Sequence, residues 1–123
     1  MSFSALVVDD EPSILEASSL ILQMHKFEVQ TASSSTDAIQ ALEASHFDLV
    51  VTDMSMETDT AGIAVVKAAK SQAYKPAVII LSAYPDLAAN WKAYGADAMF
   101  HKPTILADFI SRIDELMELR RLC

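Results

Sequence analysis

At 123 residues, 52% of them hydrophobic, the chain suits a single domain spanning 1–123 around one core and is not a disordered sequence. Only 9 Lys and Arg stand against 17 Asp and Glu, a net charge of −8, which argues against nucleic acid or an anionic membrane as a direct partner. A cation or a basic protein surface fits better, although acidity alone also serves solubility.

The amino-terminal segment runs directly into an apolar stretch, Phe3 to Val8, of strand length. It has no basic leader and is too short for a signal peptide or a membrane span. Pro12 then stands at a plausible first helical position, and Ile14, Leu15, Ser18, Ile21 and Leu22 share one helical face. A weaker strand pattern covers Phe27 to Thr31. The Ser/Thr/Asp cluster after it is a helix cap for Ala38, Ile39 and Leu42. Leu49 to Thr52 is the next strand, followed by a helix marked by Val65, Val66 and Ala69 and ended by Pro76. Ala77 to Leu81 is the fourth strand. A short helix is expected from near Asp86 to Gly95, then a last strand, Ala98 to Phe100. Leu106, Phe109, Ile110, Ile113, Leu116 and Met117 give the clearest helical period, after Pro103. A single cysteine, Cys123, allows no internal disulfide, which suits a cytoplasmic protein.

Strands alternating with helices imply an α/β fold, a parallel sheet covered on both faces. Right-handed crossovers favour the flavodoxin-like (βα)5 doubly wound arrangement with strand order 2-1-3-4-5. Such sheets bind ligands at the carboxyl ends of their strands, here where strands 1 and 3 diverge. The residues at those ends are Asp9, Asp10 and Glu11 after the first strand, Asp53 after the third, Ser82 after the fourth, and His101 and Lys102 after the fifth.

Clustered carboxylates repel one another, and Mg²⁺, a hard cation with oxygen ligands, relieves that repulsion. A carboxylate is also a nucleophile toward phosphorus, giving an aspartyl phosphate. Lys102 and the cation would stabilise charge spread over the phosphoryl oxygens, and Ser82 would donate a hydrogen bond to them. A lone Asp after a strand is more often a cap than a nucleophile; it is the set of residues that favours chemistry.

Leu6-Val7-Val8-Asp9-Asp10-Glu11-Pro12, Leu49-Val50-Val51-Thr52-Asp53-Met54, Ile80-Leu81-Ser82-Ala83, Gly95-Ala96-Asp97 and Lys102-Pro103 follow in order along the whole chain. In this the chain resembles the receiver domains of two-component response regulators. The resemblance implies that Asp53 accepts a phosphoryl group from a histidine kinase or phosphotransfer protein. It implies that Asp10, Asp53 and the backbone carbonyl of Ser55 bind Mg²⁺, with Asp9 acting through a metal-bound water. Ser82 and Lys102 would hold the phosphoryl oxygens, and a downstream protein partner, not identified by the sequence, would read the changed surface. Apart from its own phosphorylation and dephosphorylation, no enzyme activity is implied.

Three departures from the family bear on the switch. The usual proline and glycine after the nucleophile are replaced by Glu57 and Ala61, with Gly62 one residue late; this predicts an altered loop with extra negative charge beside the metal. Met99 stands where the family has an aromatic switch residue, and Phe100 should face the other side of the strand. The stretch from Ser82 to Gly95 is short, so the fourth helix should be short or irregular. Family hydrolysis rates are tuned at positions here held by Ser55 and Tyr84. Pro85 biases Tyr84 toward an extended backbone, and a ring over the attack path would slow loss of phosphate.

Two other readings remain open at this stage. One is a pseudo-receiver, an interaction module that does not use the phosphate. The other is a haloacid-dehalogenase-type phosphatase, which wants a carboxylate two residues after the nucleophile, where this chain has Ser55. No output domain follows within the sequence, so the chain is either a stand-alone regulator or a piece of a longer one.

Overall fold

The computed structural model describes residues 3–84 and 88–122. Asp86, the expected start of the fourth helix, Pro85 and Cys123 lie outside the described residues. The elements are β1 (Phe3–Val8), α1 (Pro12–Met24), β2 (Phe27–Ala32), α2 (Ser35–Ala44), β3 (Leu49–Asp53), α3 (Ala61–Ser71), β4 (Ala77–Ser82), α4 (Trp91–Tyr94), β5 (Ala98–His101) and α5 (Leu106–Leu122). The strands form one parallel sheet in the order β2-β1-β3-β4-β5, as the sequence implies.

Alternation along the strands divides the core in two. Leu6, Val8, Val50, Val78 and Ile80 face α2 and α3, where Ala38, Leu42, Val65, Val66 and Ala69 meet them. Ala5, Val7, Leu49, Val51 and Ile79 face the other way, onto Leu22 of α1 and Phe109, Ile113, Leu116 and Met117 of α5. The central strand β3 is buried throughout. Each buried Val, Leu or Ile side chain contributes about 1.5–3 kcal/mol by leaving water, so a slip of one residue, which would exchange the two faces, is strongly disfavoured. That register is what delivers the polar residues following Val8, Thr52 and Leu81 to one edge.

The helix ends follow local chemistry. Pro12 opens α1, and the Ser34 hydroxyl accepts from the Asp37 amide at the start of α2. Gly95 ends α4 with φ 104, a left-handed conformation that glycine adopts without strain. Helix α4 is short, as expected, with 4 residues ending before Gly95; it begins at Trp91, later than the expected start near Asp86. Trp91 and Tyr94 on it are half-buried against the α2–α3 side of the core.

At the amino end of the sheet, Arg120 of α5 ties three segments together. Its Nε donates to Asp48 Oδ1 at 2.9 Å, and its two terminal nitrogens donate to the Lys75 and Tyr74 carbonyls at 2.8 and 2.9 Å. The other Asp48 oxygen accepts from the Ser4 amide at 2.9 Å. Nearby, Lys70 pairs with Asp97 at 2.7 Å.

Candidate functional site

The carboxyl end of the sheet gathers the charged residues. Asp9 follows β1 directly and is almost wholly buried, its amide donating to the Ala32 carbonyl at 3.1 Å. One Asp9 oxygen accepts from the Glu11 amide at 3.0 Å, which fixes the carboxylate at the turn into α1. Asp10 is exposed. Asp53 ends β3 and is buried; its carbonyl accepts from the Thr52 hydroxyl at 2.9 Å. One carboxylate oxygen from each of Asp9, Asp10 and Asp53 lies within 4.8 Å of the others.

Lys102 follows β5, and its amide donates to the Ser82 carbonyl at 2.8 Å, which extends the β4–β5 pairing into the loop. Its ammonium reaches back across the sheet edge to Asp9 Oδ2 at 3.1 Å and Asp53 Oδ1 at 3.3 Å. Burial, the largest influence on Asp53, pushes its carboxyl above the ordinary value of 3.8; Lys102 opposes this and Asp9 adds to it. For Lys102 burial also acts most strongly, against the charge, but Asp53 and Asp9 together outweigh it and hold the ammonium above its ordinary value of 10.5. Two of the three carboxylates, Asp9 and Asp53, thus share the Lys102 ammonium. The charge deficit and the all-oxygen donor set suit a hard divalent ion such as Mg²⁺.

The loop after Asp53 is held at both ends. The Met54 amide donates to the Leu81 carbonyl at 2.9 Å, and the Gly62 amide donates to the Met54 carbonyl at 2.8 Å. A Cβ on residue 62 would lie 2.4 Å from the Asp53 carbonyl oxygen and 2.8 Å from Met54 Cα. The glycine one residue late in the sequence is therefore the one on which the backbone behind Asp53 rests. Between these ends the Ser55 hydroxyl donates to the Asp59 carbonyl at 2.7 Å. The Glu57 carboxylate, expected as extra negative charge in this loop, turns to the start of α2, where both oxygens accept from the Ser35 amide at 3.0 and 3.1 Å.

Ser82 is buried at the end of β4, but its hydroxyl is engaged within its own loop. It donates to the Tyr84 carbonyl at 2.9 Å and accepts from the Tyr84 amide at 3.0 Å. Tyr84 is 63% exposed. Met99 is half-buried against the same side of the core as Trp91 and Tyr94. Phe100 faces the opposite side, edge-on to Phe109 with ring centres 5.7 Å apart. His101 is exposed at the end of β5.

Residues 5–114 match the family described as the response regulator receiver domain. The chain belongs to that family. The transcriptional regulatory protein KdpE of Mycobacterium tuberculosis is 34% identical over 110 residues, covering 88% of this chain and 48% of that protein. PrrA of Mycobacterium leprae, also a transcriptional regulatory protein, is 32% identical over 118 residues, covering 94% of this chain and 50% of that protein. This receiver domain therefore spans about half the length of the curated relatives it matches. Among solved structures, a receiver domain from Clostridium thermocellum is 30% identical with a TM-score of 0.87, covering 99% of this chain and 98% of that one. The Thermotoga maritima response regulator TrrA in complex with Mg²⁺ and BeF is 27% identical with a TM-score of 0.82, covering 94% of this chain and 99% of that one.

Response regulators are signalling proteins, receiver domains partner with histidine kinases, and the family typically binds Mg²⁺ at its acidic pocket. The acidic cluster is present in this receiver at the expected strand ends. No helix among the described residues is long and apolar enough to cross a membrane.

Proposed function

We propose that this receiver domain takes a phosphoryl group onto Asp53 from a histidine kinase or phosphotransfer protein, with Mg²⁺ as cofactor, and passes the change to a protein-binding surface. The observation that carries this reading is the position of the Lys102 ammonium, 3.1 Å from Asp9 and 3.3 Å from Asp53 at the edge of a three-carboxylate cluster. A carboxylate oxygen of Asp53 attacks phosphorus in line. The phosphorus–nitrogen bond to the donor histidine breaks, its electron pair returns to the imidazole, and the product is a mixed anhydride on Asp53.

Asp10, Asp53 and the Ser55 carbonyl would hold Mg²⁺, with Asp9 reaching it through water. When bound, Mg²⁺ neutralises charge on the phosphoryl oxygens. Lys102, already at the site and not needed in the core, bonds a phosphoryl oxygen as the Asp53 charge is redistributed. Ser82 gains a new acceptor in the same product. To donate to it, the hydroxyl must release the Tyr84 carbonyl, so phosphorylation acts directly on the turn at Ala83 and Tyr84. Met99 has no hydroxyl and packs against the same core as Trp91 and Tyr94 of α4, so the readout passes through packing instead of an inward-turning ring. Ser55 and Tyr84 hold the positions that tune hydrolysis in the family, and Tyr84, 63% exposed, would shield the phosphate only slightly.

An apolar cleft of about 490 Å³ beside Lys102, lined by Ile14, Ile21, Leu81, Pro103, Leu106 and Phe109, offers a kinase a surface that borders the site.

The ligand set is tested by melting with and without Mg²⁺. The parent should melt several degrees higher with millimolar Mg²⁺, by mass action. Asp10→Ala should lose most of that rise, and an unchanged response would place the metal elsewhere.

A further inference from the structure

We propose that Glu57 is a positioning residue for the metal: by bonding the first amide of α2 it clamps the middle of the β3–α3 loop and so aims the Ser55 carbonyl. This rests on the Mg²⁺ site proposed above.

The loop has to present a backbone oxygen. Its ends are fixed at Met54 and Gly62, by bonds of 2.9 and 2.8 Å. Ser55 lies just beyond the first of these, and its own side chain is spent inside the loop, on Asp59 at 2.7 Å. The Met56 amide likewise turns inward, donating to the Thr58 carbonyl at 2.9 Å. Such internal bonds give the loop a shape but do not place it against the sheet. Met56 is half-buried against the α2–α3 core, which is a non-directional contact. The directional tie is Glu57, whose two oxygens both accept from Ser35 across 22 positions of sequence.

That tie has a physical basis at both partners. Ser35 is the first residue of α2, so its amide has no acceptor within the helix, and the amino terminus carries partial positive charge. Ser34 satisfies the Asp37 amide, which leaves the Ser35 amide for an outside acceptor. A carboxylate is the strongest acceptor that a side chain can bring there. The family's usual proline would stiffen the loop through its own backbone; Glu57 stiffens it through α2 instead. The metal loop is thereby coupled to an element that the phosphoacceptor chemistry otherwise leaves aside.

Two effects have to be separated, the bond and the charge. Glu57→Ala removes both, whereas Glu57→Gln removes the charge and keeps an acceptor oxygen. Ser35→Pro removes the donor and keeps the Glu57 charge. Proline is well tolerated at the first position of a helix, and Ser34 before it already has φ −153 and ψ 166, the extended backbone a residue before proline adopts.

Calorimetric titration with Mg²⁺ as the only added ligand reads the result. Glu57→Ala and Ser35→Pro should each raise the dissociation constant about three- to tenfold, less than loss of a group bonded directly to a ligand. The double variant should be no weaker than either single one, because both break one bond. Glu57→Gln should stay near the parent. Unchanged Mg²⁺ affinity in Glu57→Ala and Ser35→Pro, with lowered melting temperature, would reduce Glu57 to a cap for α2 and overturn the proposal. Loss in Glu57→Gln equal to that in Glu57→Ala, with Ser35→Pro unaffected, would make it a charge effect and overturn it too. A parent that binds no Mg²⁺ would instead overturn the site reading itself.

Discussion

The two ends of the sheet treat charge in opposite ways. At the amino end two acids each meet their own base: Asp48 has Arg120 at 2.9 Å, and Asp97 has Lys70 at 2.7 Å. The bases also close backbone carbonyls, of Lys75 and Tyr74 for Arg120 and of Pro76 for Lys70. At the carboxyl end three carboxylates crowd within 4.8 Å, and one ammonium, of Lys102, reaches two of them, Asp9 and Asp53. Both ends are built from residues that follow or precede the same strands. The amino end is balanced and holds loops together, while the carboxyl end is left short of positive charge. An imbalance that costs stability is kept where a cation and a phosphoryl group would correct it.

The comparison breaks if the amino end proves dispensable. Arg120→Ala leaves Asp48 and two carbonyls without their donor and should cost about 2 kcal/mol in denaturant unfolding, with Mg²⁺ affinity unchanged. A loss below about 0.5 kcal/mol would mean that the Arg120 network adds nothing beyond an ordinary surface pair.

A smaller effect of opposite sign is expected at the carboxyl end. Because the folded state raises the Asp53 pKa, folding favours the protonated acid. The stability this provides is fully present below the unfolded value near 3.8 and is lost as pH rises through the higher folded value. At neutral pH the ionised Asp53 therefore costs stability. Without Mg²⁺, Asp53→Asn should be more stable than the parent at pH 7 in denaturant unfolding, by less than the Arg120→Ala loss, and the gain should shrink in acid. A destabilised Asp53→Asn would show that the Lys102 pairing outweighs burial and repulsion.

Smallest of all is the change expected at Tyr84. The sequence suggests that its ring lies over the path of attacking water, but the side chain is 63% exposed. Tyr84→Ala should speed loss of phosphate from Asp53 by about twofold at most, since an exposed ring shields little of an in-line path. An acceleration of tenfold or more, followed by intact mass over time, would mean that the ring closes over the phosphorylated site.

Much of this was legible in the chain because strands announce their ends. Phe3–Val8 and Ala77–Leu81 are short apolar runs whose burial fixes register, and the next polar residue, Asp9 or Ser82, has no freedom to lie elsewhere. Gly95 marks the end of α4 for a local reason, its positive φ. What the chain did not disclose depends on partners far apart in sequence. Glu57 reads as charge near a metal until Ser35, 22 positions earlier, is seen to receive it. Arg120 and Asp48 are 72 positions apart, and no periodicity joins them. The Ser82 hydroxyl was expected to point to a phosphate, but its local alternative, the Tyr84 backbone two residues on, competes for it. The fourth helix is short, as the sequence implies, but its start is not legible because a pattern of only a few residues carries no reliable period.

The central claim, that Asp53 is the phosphoacceptor, is tested most directly by intact mass after incubation with acetyl phosphate and Mg²⁺. The parent should gain the mass of a single phosphoryl group, and Asp53→Asn, folded and treated alike, should gain none. Equal labelling of Asp53→Asn, or a parent that stays unlabelled, would contradict the account.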